Sequence, residues 1–395
     1  MTNPPLHDGA RARAEIAAGL ARQFAETAVE RDRLGGTPKR ERDALRASGL
    51  LRLTIPADLG GHGAGWAELL AIVRQFARVD SSVAHVFGFH HLLLATTRLF
   101  GQPAQWRHWL EQTARHDWFW GNALNPLDTR TEAQPTAEGF SFSGQKSFCS
   151  GALDSDRLLV SAFEKGSGRL VIAVVPTARE GIRVLEDWDN IGQRQTDSGS
   201  AEFDRLQVAH DEVLADPGPL SSPHACLRPL MAQLILVNVY IGLAEGALDQ
   251  ARQFTLQQSR VWPASLATQA NQDPYTLLHY GEFQAGLEAA RLLGDRAAVL
   301  LDAALARGLD LAPQERGEVA LAVASAKVVA TRAGLELTSR MFEVTGARAT
   351  TAGLRLDRFW RNLRVHSLHD PLDYKLRELG DWALNGTVPS PSFYS

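Results

Sequence analysis

The spacing of apolar and polar residues divides the chain into three stretches. In the first, apolar residues recur every three to four positions, as in "ARAEIAAGLARQFAETAVERDRL", a period that predicts amphipathic helices. A later helix is predicted to end near Gly49, and two more are expected to meet around Asp80–Ser82, where Asp and Ser can cap a helix start. Residues 1–116 are therefore predicted to form an N-terminal helical domain.

The second stretch alternates apolar with polar residues in short runs separated by Gly, Asp and Ser. Runs such as "RLLVSAF", "RLVIAVVP" and "GFSFSGQKSFCSGA" have the period of two that is typical of strands. Their close spacing predicts a compact β-barrel or sandwich. The Pro/Gly/Ser segment "DPGPLSSP" (216–223) then predicts a boundary, so the central β domain is expected to cover residues 117–222.

The third stretch returns to long helices rich in Ala, Leu, Glu and Arg. The segments "EFQAGLEAARLLGDRAAVLLDAALARG" and "PQERGEVALAVASAKVVATRAGLELTSRMFEVTG" have both helical composition and helical spacing. A helical domain is therefore predicted for residues 223–395, and the whole chain belongs to the α+β class.

Composition narrows the function classes. Hydrophobic residues make up 45% and charged residues 22% of the 395 residues, as in ordinary soluble proteins. The formal charge of −4 without a basic block argues against nucleic-acid binding. No apolar run reaches the ~18–20 residues of a membrane helix, and the start "MTNPPLHDGARARAE" lacks the apolar segment of a signal peptide. We expect a cytoplasmic enzyme.

Several familiar motifs are absent. In "LGGHGAGW" (59–66) the third glycine position of G-x-G-x-x-G is Trp66, and no Walker motif is present. The chain also lacks G-x-S-x-G, and Cys149 in a strand segment is expected to be inert packing. His366 and His369 lack metal-ligand spacing, so no metal is predicted. At this point "HSLHDP" can still be a catalytic acid/base or a helix end.

Seven segments together resemble a known superfamily over nearly the whole chain: "WFWGNA" (118–123), "KSFCSGA" (146–152), "IGQRQTDSGSAEF" (191–203), "NVYIGLAEGALDQAR" (238–252), "DPYTLLHYGEF" (273–283), "MFEVTGARAT" (341–350) and "DRFWRNLRVHSLHDPLDYK" (357–375). They resemble the acyl-CoA dehydrogenase superfamily, most closely its dibenzothiophene monooxygenase-like flavin-dependent monooxygenases. The resemblance implies an N-terminal helical domain, a central β-barrel or sandwich domain and a C-terminal four-helix bundle.

The catalytic base of a dehydrogenase is missing from the expected places. Members of the superfamily that oxidise acyl-CoA carry a Glu in a segment that here resembles "HSLHDP", or in an early C-terminal helix that here resembles "PLMAQLILVNVYIGLA". Neither segment contains a Glu. Asp370 is followed by Pro371, which fits a helix-terminating Asp-Pro better than a base. Because proton abstraction needs a base within reach, a monooxygenase is favoured over a dehydrogenase.

The resemblance also implies the residues of a monooxygenase site. Reduced flavin and O₂ are expected to form a C4a-hydroperoxyflavin, with Ser150 near flavin N5 and Asn122 on the same reacting face. His369 is the expected acid/base and His85 lines the pocket, since imidazole can carry or release a proton near neutral pH. Relatives tend to carry "GYHH" where this chain has "GFHH", so Phe89 removes a phenol hydroxyl from the pocket. His90 and His91 are expected to be structural.

Flavin binding is expected to involve further residues. By resemblance, Arg260 and Arg348 hold the phosphate end, and Phe148 and Trp188 flank the ring; Arg suits phosphate through its planar fork. The site is expected to be completed by a neighbouring subunit of a homotetramer, or at least of a dimer. Without a dinucleotide-binding fold of its own, the chain is expected to receive reduced FMN from a separate NAD(P)H flavin reductase, with FAD as the other possible flavin.

The expected activity is oxygenation of a soft atom, foremost sulfur, in an apolar or aromatic substrate such as a thiophene or thioether. Such a reaction belongs to sulfur metabolism or desulfurization. Three alternatives stay open: an oxygenase acting on the nitrogen of an amine or the carbon of an indole, an FAD-dependent acyl-CoA dehydrogenase, and a non-catalytic flavin-binding scaffold. The loops 125–134 and 262–274, which are expected to shape the pocket, do not reveal their conformation in the sequence.

Overall fold

The computed structural model describes residues 8–395 and confirms the order of helices, strands and helices. Residues 1–7, where the segment considered as a signal peptide begins, lie outside the described residues. The N-terminal helices are α1 (Asp8–Leu34), α2 (Lys39–Ser48), α3 (Trp66–Ala77), α4 (Ser81–Phe100) and α5 (Pro103–His116). The strands are β1 (Trp120–Ala123), β2 (Glu132–Pro135), β3 (Gly139–Lys146), β4 (Arg157–Glu164), β5 (Leu170–Pro176), β6 (Ile182–Val184) and β7 (Ala201–Ala209). The C-terminal helices are α6 (Arg228–Gln257), α7 (Pro274–Ala306), α8 (Pro313–Thr345), α9 (Asp357–Ser367) and α10 (Leu372–Asn385).

Local sequence signals set the helix ends of the N-terminal part. Gly49 ends α2 in the left-handed region at φ 74°, where a residue without Cβ is favoured. Asp80 precedes α4, and its carboxylate accepts hydrogen bonds from the backbone N–H groups of Ser82 (2.9 Å) and Val83 (3.0 Å). Both helix boundaries expected from the sequence are confirmed.

The seven strands form a single sheet. Its order is β1-β4-β2-β3-β7-β6, and β5 pairs with β4 on the other side. β4 runs parallel to β1 and β2 and antiparallel to β5, while β3 is antiparallel to both β2 and β7. The long antiparallel ladder between β3 and β7 starts from Lys146 opposite Ala201, so the chain leaving β3 and the chain entering β7 lie side by side.

Alternating side chains give the sheet two different faces. On β4, Leu158 and Val160 pack in a core within the β domain, whereas Leu159 packs in the large core of the helices. The β-domain core joins residues of β4 and β5 to Phe203 and Leu206 of β7, which lie far along the strand order. The sheet therefore curls around its own core with one face and packs on the helical parts with the other.

The C-terminal helices pack around α6, which crosses the centre of the molecule. α6 contacts α3 and α4 of the N-terminal part as well as α7, α8 and α9. By length and composition the apolar segment Ala225–Gln257 could cross a membrane, but its most apolar window is completely buried inside the protein. All seven strands lie between α5 and α6 in the sequence. The predicted domain limit at residue 116 falls at the end of α5, and the limit at residue 222 falls in the connection between β7 and α6. Whether these positions separate independent domains stays a prediction.

Candidate functional site

A cavity of about 760 Å³ lies where both helical parts meet the sheet, within the size range of small-molecule sites. Its wall is built from α4, the loops after β1 and β3, the segment before β7, the start of α6, the turn between α9 and α10, and the C-terminal residues. Seven residues singled out in the sequence line it: His85, Phe89, Asn122, Phe148, Ser150, Trp188 and His369.

Ser150 lies in the tight loop after β3. Phe148 has φ 61°, and the backbone N–H of Ser150 donates to the Phe148 carbonyl at 3.0 Å. The Ser150 hydroxyl lies 2.7 Å from the Ser198 hydroxyl, which donates in turn to Thr196 Oγ1 at 2.8 Å. This chain of hydroxyls forms because β3 and β7 pair antiparallel and bring their adjoining loops together.

A buried ion pair supports the same loops from beneath. Arg42 donates from Nη1 to the Asp197 carboxylate at 2.9 Å and from Nη2 to the Gly151 carbonyl at 2.8 Å. Next to Ser150, Cys149 is fully buried and its pKa is raised by burial to about 12, so the thiol stays protonated. This agrees with the expectation that Cys149 is inert.

Asn122 and two aromatic residues complete the part of the wall formed by the sheet loops. The side-chain oxygen of Asn122 accepts from the Leu124 N–H at 3.2 Å, and its backbone N–H donates to the Ser150 carbonyl at 3.0 Å. Phe148 and Trp188 meet edge to face with ring centroids 6.0 Å apart. Trp188 is held by its indole N–H, which donates to the Gln193 carbonyl at 2.8 Å.

Three histidines of α4 differ in their hydrogen bonding. His90 contacts the Leu51 carbonyl at 2.9 Å, and both ring nitrogens of His91 have partners on the segment 50–54. His85 is only 5% exposed, yet neither of its ring nitrogens has a hydrogen-bond partner among residues 8–395. His90 and His91 are therefore structural, as expected, while His85 lines the cavity with two buried ring nitrogens that have no partner among the described residues.

His366 also belongs to the cavity wall, which the sequence interpretation missed. It lies in the last turn of α9, with its ring centroid 4.7 Å from that of His85, and His85 stacks on Phe89 at 4.1 Å. Burial, and then the neighbouring His85, lowers the pKa of His366 well below its usual value. Burial likewise lowers the pKa of His85 to about 3. Both imidazoles are therefore neutral at pH 7.

His369 lies after α9 ends, in the turn before α10, and is held by a buried ion pair. Its Nδ1 is 3.1 Å from Asp370 Oδ1, which also accepts from Gln233 Nε2 at 3.2 Å and from Lys327 Nζ. Burial acts to raise the pKa of Asp370, but the hydrogen bonds from His369 and Lys327 outweigh it and hold the pKa well below its usual range. Asp370 is therefore an ionised anchor for His369, a role beyond the helix-ending Asp-Pro of the sequence interpretation.

The two arginines expected at the flavin phosphate lie elsewhere. Neither Arg260 nor Arg348 lines the cavity of this chain. Arg348 donates to the Gln258 carbonyl, which brings it close to the segment that carries Arg260. Their role at a phosphate stays a prediction and requires another subunit to present them.

The cavity fits a flavin better than a metal. The aromatic side chains of Phe148 and Trp188 and the amide of Asn122 suit a flat ring with polar edges. Within residues 8–395, no group of three or more His, Cys, Asp or Glu side chains is arranged to hold a metal ion.

Other lining residues had weaker signals in the sequence. Thr196 and Ser198 lie inside the quoted segment 191–203, but nothing in the spacing indicated a hydroxyl chain. Arg228 and the tail residues Phe393 and Tyr394 belong to no motif. Only the folded chain brings them to His369, whose ring centroid lies 5.8 Å from that of Tyr394.

Comparisons with known proteins show the family of the chain. Residues 9–117 match the acyl-CoA dehydrogenase N-terminal domain family and residues 234–374 match the acyl-CoA dehydrogenase C-terminal domain family. The chain is 61% identical to the Pseudomonas putida protein named "Probable FMNH2-dependent monooxygenase SfnC", with 100% of both chains covered. The methanesulfinate monooxygenase MsuC from Pseudomonas fluorescens superposes with a TM-score of 0.96 at 62% identity, over 96% of this chain and 99% of MsuC.

A third relative carries the resemblance noted in the sequence. FMN-bound TdsC from Paenibacillus sp. A11-2, a dibenzothiophene monooxygenase, superposes with a TM-score of 0.93 at 42% identity, over 97% of this chain and 100% of TdsC. These matches confirm the fold expected from the sequence. The chain belongs to the acyl-CoA dehydrogenase superfamily and, within it, to the dibenzothiophene monooxygenase-like flavin-dependent monooxygenases.

Proposed function

We propose that the chain oxygenates the sulfur atom of a small organic substrate, using O₂ and reduced FMN delivered by a separate NAD(P)H-dependent reductase. Reduced FMN, when bound, supplies the two electrons that activate O₂. The names of three relatives support this choice: one is called FMNH2-dependent, and the other two act on methanesulfinate and on dibenzothiophene. One oxygen atom of O₂ goes to sulfur and the other leaves as water.

The observation that carries the proposal is the type of proton-handling group in the cavity. A dehydrogenase needs a carboxylate base, and among the described residues that line the cavity the only carboxylate is Asp128. Hydrogen bonds from the Arg130 side chain, followed by backbone N–H groups, lower the pKa of Asp128 to about 2. So weak a base is unsuited to α-proton abstraction, whereas the imidazoles suit proton exchange with an activated oxygen.

His369 is the proposed proton carrier. The Asp370 carboxylate accepts a hydrogen bond from Nδ1 of His369, which favours the tautomer with a proton on Nδ1. Nε2 of His369 is then free to accept or return a proton. His85 and His366 remain neutral, so they add no positive charge beside a protonated His369. The buried, stacked rings of His85 and Phe89 limit the entry of water, which favours oxygen transfer over release of hydrogen peroxide.

The sheet loops form the proposed flavin side of the cavity. Ser150, held by Ser198, is proposed to hydrogen-bond the polar edge of the ring, and Asn122 to bind the same face. Phe148 and Trp188 are proposed to pack at its rim. These groups are held by bonds within the chain, so they bind without large rearrangement.

The phosphate end is proposed to be bound by Arg260 and Arg348 of a neighbouring copy. Both residues lie outside the cavity of their own chain, and Trp262, close in sequence to Arg260, is 75% exposed. An exposed tryptophan fits a protein interface. A homo-oligomer, foremost a tetramer, is the assembly that this arrangement favours.

The test supplies reduced FMN in air-saturated buffer together with one candidate substrate at a time. A panel of a sulfinate, a thioether, a thiophene, an indole and an amine separates sulfur, carbon and nitrogen oxygenation by mass spectrometry of the products. Sulfur oxygenation with little hydrogen peroxide is expected. Oxidation of only the indole or the amine contradicts the choice of sulfur, and anaerobic bleaching of oxidised flavin by an acyl-CoA indicates a dehydrogenase instead.

A further inference from the structure

Arg228 is a buried cation at the wall of the cavity. It is the first residue of α6 and is only 7% exposed, yet it lines the cavity together with His366, His369 and Tyr394. It belongs to the part of the wall formed by helices, whereas Ser150 and Trp188 belong to loops of the sheet. A charged side chain is costly to bury without a partner, so its partner needs to be identified.

Within the described chain, Arg228 uses one of its hydrogen-bond donors. Its Nε donates to Thr96 Oγ1 at 3.2 Å, and no acceptor is present for the other N–H groups of the five that a guanidinium carries. Thr96 is itself held in place, because its hydroxyl donates to the Leu92 carbonyl at 2.7 Å. The hydroxyl carries no charge, so this contact positions the arginine without neutralising its positive charge. The guanidinium fork is therefore held in place with its outer donors free.

Each of the other buried arginines of the described residues has a carboxylate or a backbone carbonyl as a partner. Arg31 and Arg42 have carboxylate partners, with Glu41 and Asp197 among them. Arg316 and Arg358 donate to backbone carbonyls, as at Pro389 and Leu354. Arg228 is the exception, since it has neither a carboxylate nor a carbonyl acceptor between residues 8 and 395.

The surroundings leave this charge uncompensated. Burial lowers the pKa of Arg228 to about 10, so the group still carries its positive charge at neutral pH. The one carboxylate in the cavity lining, Asp128, is bound to Arg130 at 2.7 Å. The neighbouring imidazole of His366 is neutral because of its burial. An anionic ligand is therefore the partner that this wall lacks.

We propose that Arg228 binds the oxygen atoms of a small organic sulfinate and thereby selects an anionic sulfur substrate over a neutral thiophene or thioether. The inference rests on the proposed sulfur oxygenation. A guanidinium fork matches two oxygens of an oxyanion, and a sulfinate combines two such oxygens with a lone pair on sulfur. A sulfonate has the oxygens but no lone pair to oxidise.

The reaction balances with the components already named. A sulfinate, O₂ and reduced FMN give a sulfonate, oxidised FMN and water. A new sulfur–oxygen bond forms from the sulfur lone pair as the O–O bond breaks, and the second oxygen atom takes up two protons. Arg228 holds the same negative charge throughout, because substrate and product are both monoanions.

The phosphate of FMN is the rival source of an anion, and the experiment separates the two. The variants are Arg228→Gln, which removes the charge, and Arg228→Lys, which keeps the charge but not the fork. Arg98→Gln on α4 is the matched control, because it removes one positive charge from a residue that does not line the cavity. Each protein is titrated with FMN by fluorescence quenching and, as the FMN complex, with methanesulfonate by calorimetry.

For Arg228→Gln we expect methanesulfonate binding and kcat/KM for methanesulfinate to fall by roughly 10- to 100-fold. FMN affinity and turnover of methyl phenyl sulfide, a neutral thioether, should change by less than about twofold, because neither depends on the contact between Arg228 and an oxyanion. Arg228→Lys should recover part of the loss, and Arg98→Gln should behave as the wild type. If FMN affinity falls as much as methanesulfonate affinity, Arg228 binds the FMN phosphate and the inference is wrong. If methanesulfonate affinity is unchanged, Arg228 binds no anion in the cavity and the inference is also wrong.

Wild-type measurements keep the inference testable if Arg228→Gln does not fold. Methanesulfonate should then inhibit methanesulfinate oxygenation competitively, while neutral dimethyl sulfone should not; equal inhibition by both contradicts an anion site. Failure of the two proposals is also distinguishable. Oxygenation of methyl phenyl sulfide without methanesulfonate binding leaves sulfur oxygenation intact and removes the anion site. Methanesulfonate binding without oxygenation of any sulfur compound leaves the anion site intact and contradicts the proposed sulfur oxygenation.

Discussion

The ion pair between Lys327 and Asp370 gives the most informative perturbation, because it links stability to the positioning of His369. The side chains of Lys327 and Asp370 are 2% and 9% exposed. Removing one member of such a pair costs about 3–5 kcal/mol, since the other charge stays buried without its partner. Asp370→Asn keeps an oxygen that can accept from Lys327, so we expect a loss at the lower end, about 3 kcal/mol.

A double variant separates stability from activity. In Lys327→Met/Asp370→Asn both charges are gone, and we expect it to recover about 2 kcal/mol relative to Asp370→Asn alone. Oxygenation should not recover, because an amide no longer requires the Nδ1–H tautomer of His369. Both variants should oxygenate roughly 10²-fold more slowly than the wild type and release hydrogen peroxide instead.

The assays are urea unfolding followed by circular dichroism, and the ratio of sulfur product to hydrogen peroxide per reduced FMN consumed. Asp373→Asn is the matched control, because it removes the same charge from an exposed residue of α10. If the double variant oxygenates substrate as fast as the wild type, Asp370 does not position His369. Equal stability of Asp370→Asn and the wild type refutes the burial argument.

Three further predictions follow from single contacts. His369→Ala should slow oxygenation by roughly 10²-fold or more while FMN binding is retained, and near-normal product formation removes His369 from the mechanism. Tyr240→Phe loses a buried hydrogen bond of 2.9 Å to the His366 carbonyl, so urea unfolding should show a loss of about 1 kcal/mol. Burial lowers the pKa of His90 to about 4, so the unfolded chain binds more protons below pH 6.5 and stability falls on acidification. His90→Gln should reduce this fall by up to about 1.4 kcal/mol per pH unit between pH 6.5 and 4, whereas exposed His108→Gln should not.

The sequence predicted the architecture because its periodic signals are local. Gly49 and the Asp80 cap mark helix boundaries through the conformation of a single residue and its immediate neighbours. The curled shape of the sheet was less accessible, since it depends on residues of β5 and β7 meeting in one core across a long sequence separation. Alternation identified strands but not their order.

The site was predicted in part, for the same reason. Ser150, Asn122 and His369 fall in segments that resemble a family, and all three line one cavity together with His85. Arg228 carries no such signal, because an arginine at a helix start normally faces solvent. Its significance depends on burial and on the lack of an acceptor, which only the packed chain reveals.

The sequence revealed only one of the two roles of Asp370, because Asp-Pro is a common helix end. The helix end is a local fact, since α9 does end at Ser367, shortly before Asp370. The second role depends on Lys327, which lies 43 residues away on α8 and approaches only after the helices pack. Long-range charge pairing of this kind follows no period or motif, so it cannot be predicted from a single sequence.

Isotope labelling tests the central claim most directly. Wild-type protein, reduced FMN and ¹⁸O₂ are mixed with methanesulfinate or methyl phenyl sulfide, and the products are analysed by mass spectrometry against flavin oxidation. We predict one ¹⁸O atom in each sulfur product and one product formed for each reduced FMN consumed in the coupled reaction. If sulfur products carry no ¹⁸O, or if all the oxygen consumed appears as hydrogen peroxide with every sulfur compound, the chain is not a sulfur oxygenase.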